Sequence, residues 1–234
     1  MAVEVAAAPP PDRRLRRRQE TIEEVLDVAA TIMAEHGVAG LSLGEIARRM
    51  GMRPPSLYVY FPSKDALYDA LFARGARRIL EVMTAVTVDL DRAGGLEEVL
   101  LPHAEAFVRW TFDNPAYSQL LFWRPVPGFT PSADAYAPAV ELIEAGRARF
   151  AELQRRGLVR DDVSAAAVLR DWTIVISGVV SQQLSNAPGE TYNDGRFTRA
   201  IPGLVSMFAR HYAPPTSTAA TGRSRRGAQR ADQY

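Results

Sequence analysis

Across 234 residues the sequence contains no cysteine. Disulfides, thiolate metal sites and a cysteine nucleophile are excluded, and nothing calls for an oxidising compartment. Histidine is scarce too: His36, His103 and His211 stand far apart, without HExxH or similar ligand spacing, so neither metal nor cofactor is expected. GxSxG, P-loop and strand-flanked GxGxxG patterns are missing, which leaves catalysis without a constellation; the chain reads as a non-enzyme. No apolar run reaches the roughly 20 residues of a membrane span, and the densest stretch, 163–184, is interrupted by Arg170 and Asp171. The opening MAVEVAAAPPPDRRLRRR lacks the positive-then-apolar order of a signal peptide, so the expected location is cytoplasmic, without membrane contact. Lysine is nearly missing: of 28 basic residues all are arginine except Lys64.

What is present is a soluble globular balance, 47 % hydrophobic and 24 % charged, enough to bury a sizeable core. The net charge of +1 hides an uneven distribution. Arg13, Arg14, Arg16, Arg17 and Arg18 outweigh Glu4 and Asp12 at one end; Arg223, Arg225, Arg226 and Arg230 outweigh Asp232 at the other; the body between is acidic. Any polyanion is then met mainly by the termini or by a small surface.

Strand signals are nearly absent and helical periodicity recurs, so the expected fold is all-α. Ile22, Val25, Leu26, Ala29, Ile32 and Met33 mark a first helix over 19–35, stopped at Gly37. Ser42 and Glu45 form a capping box for a short second helix ending at Gly51. Prolines bracket a third: Pro55 follows Pro54 and Pro62 restricts Phe61, which leaves seven residues, a rod of about 10 Å. Ser63 caps a fourth helix, expected over 64–93. Further helices are expected over 96–114, 115–123, 137–156, 163–185 and 193–212, with 124–133 as a loop. The expected organisation is a disordered basic arm (1–18), a helix-turn-helix DNA-binding domain (19–67), a larger helical regulatory and dimerisation domain (68–212) and a disordered tail (213–234).

Three helices, with the second and third joined at Gly51, make the helix-turn-helix arrangement, and the major groove admits one α-helix. On the third helix Leu57 and Phe61 face inward, leaving Pro55, Ser56, Val59 and Tyr60 outward. Over 21–67, Ala29-Ala30, Gly37, Leu41-Ser42, Ile46-Ala47, Gly51, Leu57-Tyr58-Val59-Tyr60-Phe61, Lys64 and Leu67 resemble the DNA-binding domain of the TetR/AcrR family of repressors. The resemblance implies contacts to double-stranded DNA by Pro54, Pro55, Ser56, Tyr58, Val59 and Tyr60, with Lys64 and Ser42 on phosphates. Tyr58 reads equally as a core aromatic or as a DNA contact. Arg53 stands where the family usually has Ser or Thr, and a bidentate arginine–guanine pair would suit it. Residues 19–72 are net acidic, so the arginines at 13–18 are expected to supply positive charge along a phosphate track or in a minor groove.

Farther along, Phe107, Trp110, Tyr117, Phe122, Trp123 and Trp172 are the candidate lining of an apolar effector site, although aromatics at helical spacing are commonly plain core. Arg109, His103, Gln119 and Arg170 are the candidate polar groups, each equally readable as a surface or ion-paired residue. Trp172 to Val180 is apolar nearly all round and must be covered on more than one side, in line with the homodimeric four-helix interface that the resemblance implies for the last two helices. The resulting expectation is a repressor released from a palindromic operator by a small, largely apolar ligand. The competing readings are a helical interaction module without DNA function and a helical enzyme.

Overall fold

A computed structural model describes residues 13–214, and within them the chain is all-helical, as expected. The parts of the arm and tail at 1–12 and 215–234 lie outside the described residues.

Helix α1 (Arg13–His36) begins six residues before its expected start, so Arg13 to Arg18 are helical rather than a disordered arm. Arginine is a good helix former and nothing between positions 13 and 19 breaks the helix; the first breakers upstream are Pro9, Pro10 and Pro11. Its stripe Val25, Leu26, Ala29, Ile32 and Met33 is buried. Helix α2 (Leu43–Arg49) is closed by a Schellman motif: Gly51 takes φ +64°, its N–H donates to Arg48 O, and Met52 N–H donates to Ala47 O at 2.8 Å. Helix α3 (Pro54–Tyr58) is shorter than expected, because Tyr60 N–H bonds back to Leu57 O and tightens the last turn. Leu57 and Phe61 insert into the core made with α1, α2 and α4.

Helix α4 (Lys64–Ala85) stops earlier than expected, where Val86, Thr87 and Val88 raise the cost of a helix and Val86 turns extended. An expected domain cut at 67 therefore falls inside a continuous helix, and one core joins α1–α3 to α4, to α6 (Pro115–Phe122) and to the start of α7 (Ala133–Arg155). A second core gathers α5 (Leu96–Asp113), α7, α8 (Ala165–Asn186) and α9 (Ile201–Tyr212). Helix α9 starts eight residues later than expected: Glu190 accepts from the Arg196 backbone and side chain, Gln183 accepts from Phe197 N–H, and Pro202 marks the true first turn.

Helices α4 and α7 are tied by a side chain. Asp69 accepts from Ser132 N–H at 2.7 Å and from Ser132 Oγ at 2.6 Å, while Ser132 caps α7 by accepting from Ala135 N–H. Asp69→Ala should cost about 1–2 kcal/mol, lower Tm by about 2–8 °C and speed amide exchange at the start of α7. A thermal scan with exchange mass spectrometry checks this.

Candidate nucleic-acid interface and interhelical cavity

On and just after helix α3, Pro54, Pro55, Ser56, Tyr58 and Val59 are all exposed, while Leu57 is buried. Tyr58 is 51 % and Val59 70 % exposed, a solvation cost with no packing return. The alternatives for Tyr58 narrow accordingly, since it is not in the core. Tyr60 departs from the outward expectation. The tight turn after α3 rotates it back, so its ring is half-buried against the core with the Arg18 guanidinium 5.8 Å from its centroid.

The flanks of α3 carry exposed hydrogen-bond donors. Ser42 is exposed and caps α2, its Oγ accepting from Glu45 N–H at 3.5 Å, which leaves its O–H to donate. The second half of the expected capping box does not form: the Glu45 carboxylate instead accepts from Arg48 at 2.7 Å and from Arg49 at 2.7 Å. Lys64 Nζ donates to Ala39 O at 3.3 Å and lies 5.4 Å from the Tyr68 ring, so it rests on the protein, with further N–H donors for a phosphate. Arg53, at the N-cap of α3, is exposed and has no ion-pair partner among the described residues.

Electrostatics sort these cations. Arg48, and then Arg49, hold the Glu45 carboxyl down at about 2, and Arg49 also pairs with Glu35. A depressed carboxylate contributes its stability in full above its ordinary value of 4.5 and loses it as pH falls through about 2, so these pairs persist from pH 5 to 8. Arg48 and Arg49 are thus neutralised within the domain. Arg53 and Lys64 are exposed cations outside these pairs, as are the exposed arginines of α1, of which Arg16 lies 3.5 Å from Glu20.

At the other end of α4 lies a cavity of about 470 Å³ between α4, α5, α6, α7 and α8. Phe107, Phe122 and Trp172, among the expected lining residues, are on its wall. Trp110, Tyr117 and Trp123 are not. The cavity stripe of α5 runs through Val99, His103 and Phe107, and Trp110, farther along, packs into the core shared with α4 and α6. Tyr117 is buried against Gly75, where an added Cβ would meet its ring at 2.8 Å. Trp123 ends α6, 40 % exposed and edge-on to Phe122.

Of the four expected polar groups only His103 lines the cavity. Arg109 stacks on Tyr192, Arg170 pairs with Asp171 and Gln119 is exposed. His103 is 8 % exposed; its Nδ1 lies 2.8 Å from Val99 O, and its buried Nε2 has no partner. Because a carbonyl only accepts, Nδ1 carries the hydrogen. Burial foremost, with Arg149 adding repulsion, pushes its pKa down, so the ring is neutral near pH 7. Arg149 is half-buried on the cavity wall, a place that nothing in the sequence pattern marks.

Among the described residues, a Schellman-closed second helix, an exposed proline-led third helix and an interhelical cavity within an all-helical architecture define a helix-turn-helix fold. More particularly, residues 25–71 match the model of bacterial regulatory proteins of the tetR family. The HTH-type transcriptional regulator Rv1816 of Mycobacterium tuberculosis is 29 % identical over 125 residues, 53 % of this chain and 53 % of that protein. The match therefore spans about half the length of such curated relatives. Among solved structures, a Rhodococcus sp. RHA1 protein of unknown function superposes with TM-score 0.69 at 18 % identity, over 82 % of this chain and 95 % of that one. The TetR-family regulator PfmR from Thermus thermophilus gives TM-score 0.60 at 17 % identity, over 80 % of this chain and 97 % of that one.

Proposed function

We propose that this chain is a transcriptional repressor that grips a palindromic operator as a homodimer and is released by a small, largely apolar effector. On this reading the segment up to about residue 67 reads DNA, while 68–212 senses the effector and dimerises. The observation that carries it is the reach of α4. Its first residue, Lys64, sits beside the reading head, whereas Ala76, Ile79, Met83 and Thr84 on the same helix line the cavity. A helix of 22 residues is a rod of about 33 Å. Filling the cavity moves that rod, and Asp69 couples it to α7, which supplies Leu142, Gly146 and Arg149 to the same wall. Moving a dimer from 99 % bound to 99 % released takes about 5.5 kcal/mol of differential binding, within reach of an apolar molecule desolvated between the helices.

Two arms test the reading. Selection from random duplexes should enrich paired inverted half-sites separated by a whole number of helical turns; recovery of unrelated sequences would refute it. The log K against log salt slope reports the cations. Replacing Arg16, Arg17 and Arg18 together with alanine should flatten it by about 0.9 for each phosphate no longer neutralised. An unchanged slope would remove the N-terminal arginines from the interface.

A further inference from the structure

We infer that the cavity is built for an amphipathic acid, one carboxylate held by Arg149 and His103 with its apolar body among Phe72, Phe107, Phe122 and Trp172. The inference rests on the effector reading above and names the chemical class of that effector.

The first observation is an unmatched cation. The fold supplies its other half-buried arginines with partners: Arg74 has Asp27 and Glu23, Arg160 has Asp162, and Arg78 lies 5.5 Å from the centre of the Tyr117 ring. Arg149 is also half-buried but has neither ion pair, hydrogen bond nor ring contact among the described residues. Glu152, three residues on, is engaged by Arg155 and Arg156. The lining of the cavity includes no aspartate or glutamate, so no side chain of the wall offers Arg149 a counter-charge and an anionic occupant would supply one.

A second, independent observation is the orphaned Nε2 of His103, buried on the same wall and close enough to Arg149 to feel its charge. With Nδ1–H donating to Val99 O, Nε2 offers a lone pair to a proton shared with an oxygen. A carboxylate satisfies both residues at once when His103 takes up a proton from solvent on binding: one oxygen pairs with the guanidinium, and the other accepts from the new Nε2–H. An alcohol reaches Nε2 but leaves Arg149 unpaired. An amine is repelled by Arg149, and a hydrocarbon answers neither. The remaining wall is aliphatic and aromatic, which suits a single polar head on an apolar body.

The test is a head-group series on the intact dimer, decanoate, decan-1-ol and decylamine, followed by calorimetry. Decanoate should bind at least tenfold more tightly than decanol, and decylamine least. Arg149→Met should weaken decanoate at least 30-fold while leaving decanol within threefold, and His103→Phe should weaken decanoate several-fold. Should Arg149→Met not fold, Arg149→Gln and the wild-type series still decide. Decanol or decylamine binding as well as decanoate, or decanoate indifferent to Arg149, overturns the acid and leaves the effector cavity standing. If none of the three binds, both the acid and the effector reading fall.

Discussion

Ser56→Asp should abolish operator binding, with at least a 100-fold loss of affinity, while the protein keeps its melting temperature and circular dichroism. Ser56 lies in the first turn of α3, fully outward, and touches nothing in the core. An aspartate there sits in the positive first turn of a helix, so the fold is not harmed. Against DNA the same charge faces two walls of phosphate and removes a hydroxyl that donates to a base edge or a phosphate oxygen. One hundredfold is about 2.8 kcal/mol, modest for two new repulsive charges in a symmetric dimer. Altering Ser56, Tyr60 and Lys64 together to alanine should also weaken binding sharply, but part of that loss would come through Tyr60, which helps close the core. The aspartate variant is the cleaner probe. Fluorescence anisotropy at fixed salt measures it, and an unaltered Kd would remove α3 from the interface.

How much of this was legible before the structure depends on what kind of information each feature needs. Local chemistry was readable: Ser42 and Ser63 do cap their helices and Gly37 and Gly51 do take positive φ, whereas Pro54, expected outside α3, is its first residue, since its fixed φ suits the first turn of a helix. Faces were readable too, since periodicity puts Leu57 in and Val59 out. What failed was any statement that depends on where a neighbour lies. Tyr60 turns inward because α3 tightens by one hydrogen bond. Trp110 and Tyr117 share the helical spacing of true cavity residues but pack into the other core. Arg149 sits in the run Arg147-Ala148-Arg149-Phe150, with Glu152 at a good pairing distance along the helix, and looks like any surface cation. Its meaning is the lack of a partner, a three-dimensional fact.

The largest remaining effect concerns assembly. Ile174→Glu combined with Met207→Glu should convert the protein to a folded monomer by light scattering and, at equal concentration, reduce affinity for a palindromic site at least 100-fold. Ile174 on α8 is 63 % exposed and Met207 on α9 52 %, an unusual outlay of apolar surface for two helices that pack together against the second core. On those helices Gly178 and Gly203 have nothing within 4 Å of where a Cβ would be, so another backbone can approach closely. Exposed apolar side chains beside open glycines are what a second copy of the same two helices would fill. Neither residue contributes to the core, so glutamate costs the monomer little, whereas across a two-fold axis it would bring like charges together in a desolvated interface. The consequence reaches the cavity as well. Thr173 and Ser177 line its wall from the turns of α8 that also carry Ile174 and Gly178, so the partner would lie beside the cavity's α8 wall. Effector affinity should therefore fall with dimerisation in the double variant, and a variant that stays dimeric, or a monomer that still grips the palindrome at full strength, would separate the assembly of this protein from its reading of DNA.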